Sequence, residues 1–120
     1  MVESIKYKTT SESIEVTSTT SGSSADVLYT CPAVHDATID MLMVTNGATS
    51  SQKISIQFYH NDDTTYHNLI KEKSIAGNTA HNVLDSARMH LHAGDKIVCY
   101  KDGGTFDVTI SVREFYNPNR

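Results

Sequence analysis

The sequence predicts an all-β protein: an antiparallel β-sandwich, jelly-roll-like, with roughly eight or nine short strands. Three observations lead to this prediction. No stretch of about twelve residues has apolar side chains at the three-and-four spacing of an amphipathic helix. Several segments instead alternate apolar and polar residues, which is the pattern of a half-buried strand. These segments recur at intervals of about ten residues, with Gly, Asn and Asp between them.

The start of the chain is predicted to be an N-terminal arm, residues 1–20, ahead of a single sandwich domain, residues 21–120. Within the arm, "IEVTST" (14–19) is rich in β-branched residues and predicts a strand. The polar, low-complexity segment "TSTTSGSSAD" (17–26) predicts a loop or linker. The arm is not apolar enough to stand alone, so we expect it to add a strand to its own sheet. A swap onto a neighbouring subunit is the alternative.

The strands of the sandwich are predicted from their apolar patterns. In "KISIQFYH" (53–60) one face carries Ile54, Ile56 and Phe58, and the polar residues point the other way. "IDMLMV" (39–44) is apolar at five of its six positions, so we expect it to be buried on both faces. The other predicted strands are "DVLYTC" (26–31), "TYHNLIKEKSI" (65–75), "KIVCYK" (96–101) and "TFDVTISVREF" (105–115), the last with Phe106, Val108, Ile110 and Val112 inward.

The turns between these strands carry the expected residues. "NGATSS" (46–51) opens with Asn-Gly, a strong hairpin signal. In "HLHAGDKIVCYKDGG", from His90 to Gly104, we predict strand, turn, strand and turn. Gly94 supplies a positive φ angle, and Asp95 is expected to hydrogen-bond the turn backbone.

Composition limits the classes of function. The chain has 120 residues, a formal net charge of −4 and 38% hydrophobic residues, which fits one domain with a thin core. A thin core leads us to expect that partner subunits bury further surface. Scattered, net negative charge argues against a nucleic-acid partner, because phosphate binding needs a clustered basic surface. No apolar run has the length of a membrane span, and no signal-peptide core is present. We therefore expect a soluble protein made in a cytoplasm, with no membrane partner.

The two cysteines, Cys31 and Cys99, fall within apolar strand-like segments. We interpret them as reduced, buried residues that pack as small hydrophobic side chains. No CxxC pair is present, so the sequence offers no zinc knuckle or redox motif.

The histidines raise the question of a metal site. His90 and His92 are separated by one residue, so on a strand they share a face and are the candidates for metal ligands. The candidates for a third ligand are His60, His67 and His81. With such a ligand set pointing inward, the chain would be a metal-dependent enzyme of the cupin type.

The other interpretation places the two imidazoles on the surface and Met89 and Leu91 toward the core, and we favour it because no motif such as HExxH is present. The "NDD" turn (61–63) lacks the rhythm of a calcium loop, and no pair of carboxylates stands out as catalytic. The glycine-containing segments lead into strands rather than helices, unlike phosphate loops. These patterns therefore single out no catalytic residues and no cofactor.

The order of these segments resembles a family of small virion proteins of tailed bacteriophages, with β-sandwich modules associated with capsid or tail. The likeness runs over residues 26–115, from "VLYTCPA" through "ATIDMLMVTN" and "KISIQFY" to "HLHAGDKIV" and "VTISVRE". The residues that match are Tyr29, Pro32, Ala33, Ile39, Val44, Asn46, Ile54, Ile56, Ile75, Leu91, Gly94, Asp95, Ile97, Val108, Ile110, Val112 and Glu114. The bulky Met41 and Met43, the "HLH" stretch and the arm depart from the pattern.

This resemblance implies a non-enzymatic structural protein of a bacteriophage virion, localised in the particle. The length favours a capsid decoration protein or a head or neck accessory. A tail fibre or baseplate module that binds a host glycan or receptor is the alternative. Its partners would be copies of itself, with a trimer expected first, and other virion proteins such as the major capsid protein or neck and tail proteins.

Assembly through many weak contacts would suit such a protein, because repetition adds their strengths. We expect the interface to come from the arm and from the loops at 60–68 and 79–92. The candidate interface residues are Ile5, Tyr7, His60, Tyr66, His67, His81, His90 and His92.

Overall fold

A computed structural model of the chain describes residues 7–85 and 87–118, and these form nine strands in two antiparallel sheets. The strands are β1 (Tyr7–Glu15), β2 (Asp26–Thr30), β3 (His35–Asn46), β4 (Gln52–His60), β5 (Thr65–Ile75), β6 (Ala80–Asn82), β7 (Met89–His92), β8 (Lys96–Lys101) and β9 (Phe106–Tyr116). The described part of the chain contains no helix of the length and apolarity that crossing a membrane would require.

The sheet order is that of a jelly roll. The first sheet runs β1-β9-β3-β6, and β7 also pairs with β3; the second runs β2-β8-β4-β5. β6 lies opposite Met43–Thr45 of β3 and β7 opposite Asp36–Ile39, so the two short strands share one position in the sheet. Each sheet therefore has four positions, as in a jelly roll of eight strands. The predicted fold class is confirmed.

The core forms where the inward residues of the two sheets meet. Phe106, Val108, Ile110 and Val112 of β9 are all fully buried, as the alternation predicts. Leu91 of β7 is also fully buried. Burying side chains of this size contributes about 1.5–3 kcal/mol each, and this supplies the main attraction between the sheets.

The prediction that residues 39–44 are buried on both faces is wrong. A β-bulge at Asp40 shifts the register with β9 between Ile39 and Met41. Ile39 and Leu42 are fully buried, whereas Met41 and Met43 lie half-buried on the outer face. Because of the extra residue, Ile39 before the bulge and Leu42 after it both face the core. The number of apolar residues in the segment does not reveal such a shift.

The predicted strand at 14–19 is also shifted. β1 covers Tyr7–Glu15 of the predicted arm and pairs with β9 along its whole length. The following segment, residues 16–25, which we call the strap, crosses to the second sheet. Ser18 accepts a backbone hydrogen bond from Lys101 (2.9 Å), and the Gly22 N–H donates to Gln57 Oε1 (3.0 Å).

The strap covers part of the outer face of the second sheet. Ser55, Gln57 and Val98 alternate away from the core, yet they are 1%, 8% and 1% exposed. The segment predicted to be a loop or linker is irregular, as a loop is, and it lies against the second sheet instead of standing free of it. Its many hydroxyl and backbone groups satisfy one another; for example, Ser18 Oγ donates to the carbonyl of Ser24 (2.7 Å).

Asp26 anchors the strap to β2. Its Oδ2 accepts the backbone N–H groups of Thr17 (2.6 Å) and Ser18 (3.0 Å). Burial opposes the ionised form of this carboxyl. The backbone and hydroxyl hydrogen bonds from Ser18 and Thr17, together with the charge of Lys101, outweigh burial, so the pKa of Asp26 lies below its ordinary value.

We therefore expect the strap to make stability depend on pH. Because the pKa of Asp26 is lower in the folded chain, its stabilisation is complete above about pH 4 and is lost as pH falls through the folded pKa. Asp26→Asn should cost about 1 kcal/mol near neutral pH and less at about pH 2.5. Urea unfolding at both pH values measures this difference, with Asp62→Asn in the exposed β4–β5 turn as the control. An equal cost at both pH values would contradict the assignment.

Two buried polar side chains hold the loops at opposite ends of the sandwich. Asn46 hydrogen-bonds to the β3–β4 turn and to Ile75 and Ala76 at the end of β5. Asp95, in the β7–β8 turn, accepts the backbone N–H groups of Asn61 and His92, as its turn position predicts. We call these ends the Asn46 end and the Asp95 end.

Candidate interaction surfaces

The structure distributes the predicted interface residues over several separate places. Ile5 lies outside the described residues. The remaining candidates are Tyr7 at the start of β1, His60, Tyr66 and His67 on the β4–β5 hairpin, His81 on β6, and His90 and His92 on β7. The hairpin therefore brings three of the candidates together, whereas His81 pairs with Val44 toward the Asn46 end.

The β4–β5 hairpin places two histidines around one carboxylate. His60 Nδ1 is 3.5 Å from Asp63 Oδ1, and His67 Nε2 is 3.7 Å from Asp63 Oδ2. Both imidazoles also lie beside the ring of Phe58, at centroid distances of 5.6 and 6.3 Å. Two imidazoles therefore face one exposed carboxylate at the tip of the hairpin.

The opposite face of the hairpin presents an aromatic pair. Tyr59 and Tyr66 are cross-strand partners whose ring centroids are 4.8 Å apart, and Lys96 Nζ lies 5.4 Å from the centre of the Tyr59 ring. Such half-exposed rings offer apolar surface with a polar rim, which suits contact with another molecule.

The β7 histidines point away from the core. Leu91 is fully buried and Met89 packs against the core, so His90 and His92 belong to the outer face. His90 Nδ1 lies 3.0 Å from Thr38 Oγ1, and His92 Nδ1 lies 3.2 Å from Asp36 Oδ1. The inward imidazoles that a cupin site needs are not found at this strand. Among residues 7–85 and 87–118, no three His, Cys, Asp or Glu side chains are grouped so as to hold a metal ion.

An open groove of about 570 Å³ runs over the outer face of the first sheet beside β7. Arg113 and Arg88 line it, and both contact Asp40, at 2.8 and 3.3 Å. The hydrogen bond from Arg113 is the main reason why the pKa of Asp40 lies below its ordinary value. Both guanidinium groups that line the groove are therefore already in contact with a carboxylate.

A second groove, of about 330 Å³, lies between the edge strands β1 and β2, and we call it the seam. It is lined by Lys8, Thr10, Glu12, Val27, Leu28, Tyr29, Thr30, Pro32 and Glu114. Glu114 is only 5% exposed, and its Oε2 accepts a hydrogen bond from the hydroxyl of Tyr29. Burial of Tyr29, and secondarily this hydrogen bond, raises the pKa of the phenol.

Sequence reasoning did not predict the seam, although a signal for Glu114 exists. The inward residues of β9 follow a period of two, and Glu114 continues the positions of Ile110 and Val112. A charged residue at a core-facing position requires a partner or a function. Nothing in the local pattern identifies Tyr29, which lies 85 residues away, as that partner.

Both cysteines are buried, as predicted, and neither forms a disulfide. Cys31 is 1% exposed and Cys99 is fully buried. Burial raises the pKa of each thiol to about 12, so the reactive thiolate is scarce at neutral pH.

No protein-family model and no curated protein sequence matches this chain. The similar solved structures include a protein of the Bacillus endospore appendages, described as a novel family of disulfide-linked pili. Its TM-score is 0.51 at 12% identity, over 96% of this chain and 91% of that chain. They also include a protein of infectious bursal disease virus, Gx strain, with a TM-score of 0.51 at 11% identity. That match covers 99% of this chain but only 35% of the viral chain. At these identities the likeness shows a shared fold.

Proposed function

We propose that this protein is a non-enzymatic structural component of a tailed-bacteriophage virion, a capsid decoration protein or a head or neck accessory. It would assemble as a symmetric oligomer, with a trimer as the expected state, and contact other virion proteins. The observation that carries the proposal is the jelly roll with strands β1, β2 and β5 at sheet edges. In an isolated protein, edge strands and exposed apolar side chains promote aggregation. In an assembly, contacts with neighbouring subunits can bury both.

Exposed apolar side chains at the Asp95 end support this role. Val34 is 38% exposed and Tyr116 is 51% exposed. Val34 also has a φ angle of +54°, and Thr64 in the nearby hairpin has +52°, although β-branched residues rarely adopt this conformation. Strain combined with exposure is costly in a free monomer, and a contact partner at this end would offset it.

The contacts of the assembly would be non-covalent. The similar Bacillus appendages are described as disulfide-linked pili. Here Cys31 and Cys99 are buried, so neither sulfur can reach a neighbouring subunit without local unfolding. The β4–β5 hairpin, with His60, Tyr66 and His67, is the proposed centre of the contact between copies.

Two measurements test the proposal. Mass spectrometry of purified phage particles should detect this chain in many copies per particle. Light scattering of the isolated protein should give the mass of a trimer, unchanged by reducing agent. Tyr66→Ala should shift that mass toward the monomer, whereas Thr109→Ala on the outer face of β9 should not. Absence of the chain from particles, together with a monomeric mass, would overturn the proposal.

The Tyr59–Tyr66 pair also favours a second candidate, a tail fibre or baseplate module that binds a host glycan or receptor. Paired aromatic rings on a sheet face can stack against the apolar face of a sugar. Glycan-array binding that Tyr59→Ala abolishes would favour this function, and an array without signal would exclude glycan binding as its basis.

A further inference from the structure

We propose that the seam binds an extended segment of another protein, whose lysine or arginine side chain pairs with Glu114. The inference deepens the proposed function, since it assigns one contact of the structural protein and the chemistry of its partner. The seam combines a buried carboxylate, an exposed valine and two strand edges within one groove.

Glu114 is incompletely paired among the described residues. Its Oε2 accepts the Tyr29 hydroxyl, whereas the counter-charge that the described residues place beside Oε1 is Lys8 Nζ, at 3.8 Å. The Lys8 side chain is 73% exposed and that of Glu114 is 6% exposed, so the cation is hydrated and the carboxylate is not. A buried carboxylate with so weak a counter-charge is costly, and a second cation delivered into the groove would remove that cost.

The backbone of β1 and β2 borders the groove. β1 pairs only with β9 and β2 only with β8, so each presents a strand edge that has no partner strand among the described residues. β2 is interrupted by an irregularity between Val27 and Tyr29, whereas β1 keeps a regular register over nine residues. An added strand would therefore form its backbone hydrogen bonds with the regular edge of β1.

The lining of the groove determines which side chains such a segment must carry. Alternate residues of an added strand face the groove, where they meet Glu12 and Glu114 on one side and Val27 on the other. Val27 is 48% exposed, so an apolar residue near the basic one would cover it. The chain has a net charge of −4 and two of the three charged residues in the seam are acidic, which favours a basic partner over a second copy.

The test uses the full chain and a model peptide, acetyl-Thr-Val-Thr-Lys-Thr-Val-Thr-amide, in an NMR titration of backbone amides. Peptide binding should shift the amides of β1 and β2 and leave those of β5, the far edge of the second sheet, unchanged. Replacing the peptide's lysine by glutamate should weaken binding about tenfold or more, as expected for losing a charge-assisted hydrogen bond.

Glu114→Gln gives the decisive variant, because the amide oxygen can still accept the Tyr29 hydroxyl. We expect it to abolish the preference for lysine over glutamate and to keep the melting temperature within about 5 °C of the parent. Glu72→Gln on β5 is the matched control and should retain the preference. A Glu114 with a merely structural role would change the melting temperature and leave peptide selectivity intact.

The inference fails if the lysine peptide does not bind up to its solubility limit, if it binds without preference for lysine, or if Glu114→Gln keeps that preference. It also fails if light scattering shows self-association that Glu114→Gln abolishes, because the occupant would then be a second copy. These outcomes are independent of finding the chain in particles. The structural role can therefore stand while the seam assignment falls, or the reverse.

Discussion

Replacing Asn46 by aspartate is expected to destabilise the folded protein by about 4 kcal/mol at neutral pH, although the two side chains have the same shape. Asn46 is fully buried at the end of β3. Its Nδ2 donates to the carbonyls of Ile75 (2.9 Å) and Ser50 (3.1 Å), and its Oδ1 accepts the N–H of Ala48 (2.8 Å). Aspartate would set a buried negative oxygen against those carbonyl oxygens.

Urea unfolding measures this effect, and two comparisons make it specific. Asn46→Ala removes the same bonds without adding a charge, so it should cost less, about 2–3 kcal/mol. Lowering the pH should restore part of the stability of Asn46→Asp, because a protonated carboxyl can again donate to a carbonyl. The role of Asn46 would be wrong if the aspartate variant unfolded within about 1 kcal/mol of the parent.

The second large effect is expected at the opposite end of the sandwich. Asp95→Ala should destabilise the fold by about 3 kcal/mol, because it leaves two backbone N–H groups without an acceptor. Asp95 is 2% exposed, and its two oxygens accept the N–H groups of Asn61 (2.9 Å) and His92 (2.8 Å). The carboxylate thus joins the β4–β5 hairpin to the β7–β8 turn.

Chemical denaturation together with amide hydrogen exchange tests this assignment. The amides of Asn61 and His92 should exchange faster in Asp95→Ala, whereas those at the Asn46 end should not. Asp102→Ala, in the exposed β8–β9 turn, is the matched control and should change stability by less than about 0.5 kcal/mol. Equal effects of the two alanine variants would show that Asp95 does not hold the turns together.

Local patterns predicted most strands of the sandwich and the role of Asp95. The alternation in β4 and β9 identified their core faces because a strand side chain has a fixed period of two. Asp95 was predictable because its partner His92 lies within the same turn. The bulge at Asp40 and the covering of Gln57 by the strap were not, because neither leaves a periodic signal near the residues concerned.

Of the candidate interaction surfaces, one was also predicted from the sequence and one was not. The sequence predicted His60 and His67 as interface candidates, and the geometry of the hairpin places both around Asp63. It did not identify the seam, whose key contact joins Tyr29 of one sheet to Glu114 of the other.

Local sequence patterns are enough to predict the all-β class, most strands and their inward faces, since each depends on the conformation of a few consecutive residues. Which edges lie side by side, and which carboxylate is buried between them, follows only from the folded chain. Those features depend on contacts between residues far apart in the chain, here 85 positions for Tyr29 and Glu114. The packing energy that selects such contacts is summed over both sheets, so no single segment of the sequence predicts them.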